Sequence, residues 1–300
     1  MPVAHWIRRL CVAGVLLCFA VVVLGAYVRL TAAGLGCPDW PGCYGHLTPL
    51  GAEHTLSAQA AYAGRPIEPG KAWREMIHRY AVGTLSCIIL LITALAIGAR
   101  RSRLVSVTFA LALLATLVVQ ALLGMLTVTW QLNPLIVTLH LLFGMTTLGL
   151  LWWLLLSLPR GSWGTTALHG AGHAIGAAGA SPVVSARRLV LAGLIALAVQ
   201  LALGGWTSSN YAAVACPDFP TCQNAWWPHA DYRNAFVLWH GLAAARLRAW
   251  AVLAALALQL TLGISMVLRG FPLWLATAHT AGAALLLLAT LALLRALSAR

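Results

Sequence analysis

Seven long apolar runs dominate this 300-residue chain, at about 10–30, 79–99, 104–128, 135–157, 188–206, 249–268 and 273–294. A helix needs roughly 20 apolar residues to cross a bilayer. The runs are continuous rather than alternating, and backbone polar groups in lipid must be satisfied within the segment, so these are helices and not strands. Charged residues make up only 8% of the chain, against about 25% in a typical soluble domain. The expected class is therefore all-α: a polytopic membrane protein embedded in a lipid bilayer. The first run is too long for a signal peptide, so it reads as a retained span.

The net charge of +13 does not point to nucleic acid, because the cations sit mostly between spans. Arg8, Arg9, Arg100, Arg101, Arg103, Arg160, Arg187 and Arg188 fall on one side if the first spans alternate, and the positive-inside rule makes that side the cytoplasm. The reading that follows is a multi-pass protein of the bacterial inner (plasma) membrane with a cytoplasmic N-terminus.

A heptapeptide occurs twice, as C-P-D-W-P-G-C at 37–43 and C-P-D-F-P-T-C at 216–222, and the same offset holds back to Leu24-Gly25 and Leu203-Gly204. Two copies at one offset imply an internal repeat and two pseudo-symmetric helical-bundle halves. The expected organisation is a first half at 1–158 with four spans, a Gly/Ala-rich cytoplasmic linker at 159–186, and a second half at 187–300. Both Cys-rich loops face outward on this topology. That compartment is oxidising in a bacterium, so a disulfide within each pair, Cys37–Cys43 and Cys216–Cys222, is allowed. Cys11, Cys18 and Cys87 lie inside spans and read as small apolar packing residues. His169 and His173, four apart in the linker, have the spacing of helical metal ligands, but the surrounding glycines argue against a helix.

Ionisable groups at membrane depth are functional candidates by default. His78 opens the second span in W-R-E-M-I-H-R-Y, His140 lies near the start of the fourth, and His279 lies near the start of the last. Gln120 precedes His140 by twenty residues and Gln259 precedes His279 by twenty, so these two histidines are related by the repeat. Facing histidines on neighbouring helices can supply both axial ligands of a haem iron. Gly83, Gly144 and Gly282 would let a flat macrocycle approach the backbone, or would serve helix packing. Glu75 shares a helix face with His78. It could orient the imidazole, take a proton or stabilise cationic charge; alternatively it is an exposed first-turn carboxylate. A transporter is disfavoured, because the polar groups cluster at span ends rather than at a midplane break.

With Cys37/Cys43, Glu75-x-x-His78-Arg79, His140, Cys216/Cys222 and His279 in place, the chain resembles the haem A synthase family of cytochrome oxidase biogenesis over about residues 10–295. The resemblance implies two four-helix halves, each enclosing a haem site. It implies oxidation of the C8 methyl of haem O to the formyl group of haem A through hydroxylated intermediates. Glu75, His78 and His140 map onto the substrate-haem site, and His279 onto one ligand of a haem b in the second half. Cys37 and Cys43 map onto the outward pair associated with turnover or haem transfer. Haem O synthase and cytochrome oxidase assembly factors are the implied partners, and homo-oligomerisation stays open.

The sequence departs from that pattern in its second half, which is short by about one span. Gly241 follows His240 where Arg79 follows His78, and the apolar stretch before Arg246 is too short to cross. The simplest reading is that a loop and a span are absent around 233–248, leaving His240 in or beside the outer loop. The competing reading keeps His240 as the second haem b ligand on a shortened helix. A non-catalytic b-type haem-binding or electron-transfer protein is therefore the alternative function. Seven plainly alternating spans would carry His279 to the face opposite His140, whereas the repeat calls for the same face; residues 233–248 would then re-enter the membrane or fuse with 249–268 into one long tilted helix, or the second half is misfolded.

Overall fold

The computed structural model describes residues 2–51, 68–102, 105–158, 180–210 and 250–298. Seven α-helices are found among them: α1 (Pro2–Leu30), α2 (Pro69–Gly98), α3 (Val107–Thr129), α4 (Pro134–Ser157), α5 (Ala180–Ser209), α6 (Trp250–Leu268) and α7 (Leu273–Ser298). They coincide with the seven expected runs. Six are long and apolar enough to cross a membrane, and the described side chains of α6 add a shorter apolar helix, Ala255–Leu268. The chain is a multi-pass, all-helical membrane protein. Its second Cys pair, His169, His173 and His240 lie outside the described residues.

Local chemistry sets the helix ends. Pro69 and Pro134 begin α2 and α4, where a missing N–H costs nothing, and the Asn133 side chain accepts from the Leu135 N–H at 3.0 Å. At the other end of α3, Gln131 and Leu132 both take positive φ (47° and 58°), and Leu132 N–H returns to the Thr127 carbonyl at 2.8 Å. After α6, Gly270 and Phe271 do the same (69° and 60°), with Phe271 N–H on the Met266 carbonyl at 2.8 Å. Such left-handed caps satisfy terminal carbonyls and reverse the chain in few residues. They turn α3 tightly into α4, and α6 into α7.

Helices α1 to α4 form an antiparallel ring: α1 packs on α2, α2 on α3, α3 on α4, and α4 on α1. The second half joins it through α1 with α7, α4 with α5, and α4 with α7. The core of this assembly includes Ile7, Cys11, Ile89, Ile92, Leu113, Leu148 and Leu151, all at 0% exposure. Cys11 and Cys18 are buried there as expected. Cys87 departs from expectation: it sits on the exposed outer face of α2, so it does not pack in the core.

Helix directions decide where the histidines lie. Gly205 of α5 abuts Thr138 and Leu141 at the start of α4, so α5 ends where α4 begins. At the opposite end, Val190 near the start of α5 clusters with Leu294 and Trp153. Trp152 of α4 donates its indole N–H to the Leu288 carbonyl of α7 at 3.0 Å, so α4 and α7 run the same way. His140 and His279 therefore lie at the same end of the bundle. The opposite placement predicted by plain alternation is overturned, because α5 and α6 both run toward this end. Arg8, Arg9, Arg100, Arg101, Arg187 and Arg188 belong to the far end.

Three expected helix starts shift, and α1 begins at Pro2 rather than near 10. Helix α2 starts ten residues before the expected 79, at Pro69, which places Glu75 and His78 within the helix rather than at its opening. Helix α5 reaches back to Ala180, into the stretch expected to be linker, and the rest of that stretch, 159–179, lies outside the described residues.

Candidate functional site

The loop after α1 folds back onto the start of α2. A disulfide joins Cys37 to Cys43, with Cα atoms 4.8 Å apart, and both residues are fully buried in a cluster with Tyr44, Ala72 and Met76. Inside the loop, the Asp39 carboxylate accepts from the N–H groups of Tyr44 (2.6 Å) and Gly45 (2.9 Å). Gly36 lets the loop touch α2, since a Cβ there would stand 2.6 Å from the Lys71 carbonyl carbon. No other residue type fits that approach.

Glu75 and Arg79 bind this loop to the helix. The Glu75 carboxylate accepts from the Cys37 N–H at 2.9 Å and pairs with the Arg79 guanidinium at 2.5 Å. The two side chains are only 7% and 12% exposed. Arg79 also donates to the carbonyls of Asp39 (2.8 Å), Pro41 (3.2 Å) and Gly42. Beside it, the Tyr80 hydroxyl donates to the Leu47 carbonyl at 2.6 Å. The alternative of an exposed first-turn Glu75 is thus removed. The carboxylate is a buried anchor, and it does not orient His78, whose Nδ1 has no partner.

His78 projects from α2 toward α1. A Cβ on Gly25 would lie 3.0 Å from its Cε1, so the glycine is what admits the ring. His140 projects from α4 toward α3, where a Cβ on Gly124 would make ordinary contact with its Cε1 at 3.5 Å. Nδ1 of each imidazole is buried without a hydrogen-bond partner. His279 of α7 sits against Gly263 of α6 at 3.0 Å, its Nε2 is 3.1 Å from the Gln259 amide nitrogen, and its Nδ1 is also unpartnered.

Two imidazoles carried by α2 and α4 of one helical ring, each beside a glycine, are donors of the kind that a flat metal macrocycle takes. Metal-bound histidines commonly give their second ring nitrogen to an acceptor, and the orphan Nδ1 atoms are the feature to be explained. On the donor chemistry the residues fit a haem. Among the described residues no cluster of three or more His, Cys, Asp or Glu could hold a bare metal ion.

Of the expected contact glycines, Gly83 faces open space, whereas Gly144 and Gly282 receive Gln120 and Gln259. The glycines that meet the rings are Gly25, Gly124 and Gly263. The signal for them was present in the repeat, since Leu24-Gly25 recurs as Leu203-Gly204, and L-L-G-M answers T-L-G-I.

The family model of the COX15-CtaA cytochrome oxidase assembly proteins matches residues 8–244 and 232–291. The chain belongs to the COX15-CtaA family. Among curated relatives, the heme A synthase of Shewanella oneidensis is 36% identical over 327 aligned residues, covering 94% of this chain and 93% of that protein. Heme A synthases of Lysinibacillus sphaericus and Listeria welshimeri are each 31% identical, over 48% and 42% of this chain and 42% and 37% of their own lengths. The COX15-CtaA match comes in two pieces that meet at 232–244. The Shewanella alignment, at 327 residues, is longer than this 300-residue chain.

Proposed function

We propose that this chain is a haem A synthase, an oxidoreductase that takes haem O as substrate and oxidises its C8 methyl to the formyl group of haem A through a hydroxylated stage. The observation that carries the reading is that His78 of α2 and His140 of α4, within the ring of α1 to α4, each bury an Nδ1 without a partner. The His78 ring is seated against Gly25, next to the Glu75 and Arg79 side chains that fasten down the Cys37–Cys43 loop. The names of the relatives support it.

In this reading His78 and His140 hold the substrate haem, and His279 holds a haem b in the second half with His240 as its candidate opposite ligand. Bound haem iron supplies the oxidising chemistry. The chain binds and orients: glycines at the rings allow close approach, and the apolar core excludes water. Glu75 and Arg79 keep the disulfide loop in place against the start of α2. The arginines between spans support an orientation in which that loop faces outward from the bacterial inner membrane and the N-terminus is cytoplasmic. Haem O must come from a prenylating haem O synthase, and the product must pass to cytochrome oxidase assembly factors.

The reading is tested by expressing the chain with a supply of haem O and extracting pigments. Haem A or its hydroxylated precursor is expected. A folded, haem-loaded protein that yields neither would sink the proposal.

A second reading, a b-type haem-binding or electron-transfer protein without synthase activity, is favoured by one observation: the family match breaks at 232–244, where a span and a ligand were expected. Its signature is a b-type spectrum with one haem per chain and no product.

A further inference from the structure

The charges of this chain are segregated along the bundle. Its acidic residues are Asp39, Glu53, Glu68, Glu75, Asp218 and Asp231, so none occurs in 1–38, 76–217 or 232–300. Among the described residues the ion pairs are Lys71–Glu68 and Arg79–Glu75, both at the histidine end. The opposite end gathers the start of α1, the end of α2, the start of α5 and the end of α7. Arginines lie in or beside each of these stretches, and no acidic residue lies in any of them. The chain supplies this end with cations and leaves the counter-charge to come from outside.

One crevice at that end is shaped as well as charged. Val190 of α5 and Leu294 of α7 are buried in one cluster, with Trp153 of α4, Leu194 and Leu293 packed against them. Arg295, in the last turn of α7, holds its guanidinium carbon 5.4 Å from the centre of the Trp153 ring. A guanidinium over an aromatic face is held by the ring quadrupole and keeps its N–H donors for other partners. Arg187 stands three residues before Val190, so it shares the face that α5 turns to this cluster, one turn nearer the bundle end. Arg187 is exposed, and just past it Leu189, Leu191 and Ile195 leave an apolar face of α5 exposed. A cationic rim, an indole beneath it and an apolar helix face beyond follow the order of a phospholipid: phosphate, interfacial region, acyl chains.

We propose that the crevice formed by the ends of α4 and α7 and the start of α5 binds an anionic phospholipid, with its phosphate held by Arg187 and Arg295 and its acyl chains laid along the apolar face of α5. Arginine suits the task because its planar fork can meet two phosphate oxygens at once. A zwitterionic headgroup brings its own ammonium to a site that offers no carboxylate, so the charge selects an anionic one. A nucleic acid would satisfy the arginines but has nothing to lay on the exposed leucines and isoleucine of α5.

The full chain, purified in a neutral detergent, is titrated with phosphatidylglycerol. Binding is read from the midpoint of thermal denaturation and from the lipid retained in native mass spectrometry. Phosphatidylglycerol should raise the wild-type midpoint, because a ligand that binds only the folded state stabilises it. Phosphatidylcholine, or inorganic phosphate at the same concentration, should not. The double variant Arg187→Gln/Arg295→Gln should bind phosphatidylglycerol roughly 25-fold more weakly, about fivefold for each arginine removed near a lipid surface. Arg100→Gln/Arg101→Gln removes the same charge at the same end, but beside α2, which packs on α1 and α3, and should bind as wild type does. If the first double variant fails to fold, Arg295→Lys carries the test: it keeps the charge and loses the fork, and its binding must still weaken. An equal gain from phosphatidylcholine or from inorganic phosphate overturns the proposal. So does equal weakening in the Arg100→Gln/Arg101→Gln variant, or unchanged binding in the variants at 187 and 295.

Discussion

Replacing Glu75 by Ala should release the Cys37–Cys43 loop. Both cysteines are 0% exposed, so a reductant reaches the disulfide only when the loop lifts from α2. Two interactions at Glu75 oppose that motion. The Cys37 N–H would be left without its acceptor at 2.9 Å, and an unsatisfied buried donor costs about 1–3 kcal/mol. Arg79 would lose its carboxylate at 2.5 Å, and breaking a buried pair from one side costs about 3–5 kcal/mol. Arg79 keeps its bonds to the Asp39, Pro41 and Gly42 carbonyls, so that second figure is an upper bound here. A net loss of about 3 kcal/mol corresponds to ~100-fold more frequent opening, at ~1.4 kcal/mol per tenfold. The assay is the rate at which a membrane-impermeant phosphine reduces the bond, read by quenched alkylation and peptide mass spectrometry. Gln at 75 retains an acceptor for Cys37 while losing the charge, so about a tenfold acceleration is expected there. A Glu75→Ala rate equal to wild type would refute the idea that this carboxylate holds the loop.

Gly25→Ala places a methyl 3.0 Å from Cε1 of His78, and overpacking of this kind costs about 1–3 kcal/mol; a lower haem content with an unchanged helical circular dichroism spectrum is expected. Gly205→Val should push α5 from α4, because even a Cβ at position 205 would stand 3.0 Å from Leu141, and should lower the midpoint of denaturation in mixed micelles. Trp152→Phe removes the bond to the Leu288 carbonyl and part of a ring packed on the core, so the same denaturation assay should register a loss of more than about 0.6 kcal/mol.

Much of the site was legible in the chain alone. Glu75, His78 and His140 stand out because ionisable groups are rare at membrane depth, and Cys37 and Cys43 because they recur as a motif. What each does was less legible. Glu75 is three residues from His78, which suggested service to the imidazole, but its carboxylate turns to a loop 38 residues earlier. A one-dimensional spacing reports which residues share a face and not which partner fills it. Gly25, Gly124 and Gly263 stood in the repeat without a role for a related reason: a glycine's significance lies in the neighbour that occupies the space its side chain would fill.

The sequence by itself determined the all-helical class and the seven apolar runs, because lipid leaves a continuous apolar run no other way to satisfy its backbone. Only the tertiary structure decided which end of the bundle His279 occupies. Counting spans predicts strict alternation, yet side-chain packing between α4 and α7 and between α5 and α4 sets the directions, bringing α5 and α6 to the same end. The doubled Cys motif promised two like halves. Among the described residues it is the helix contacts, made by glycines receiving histidine and glutamine side chains, that set where each candidate ligand sits.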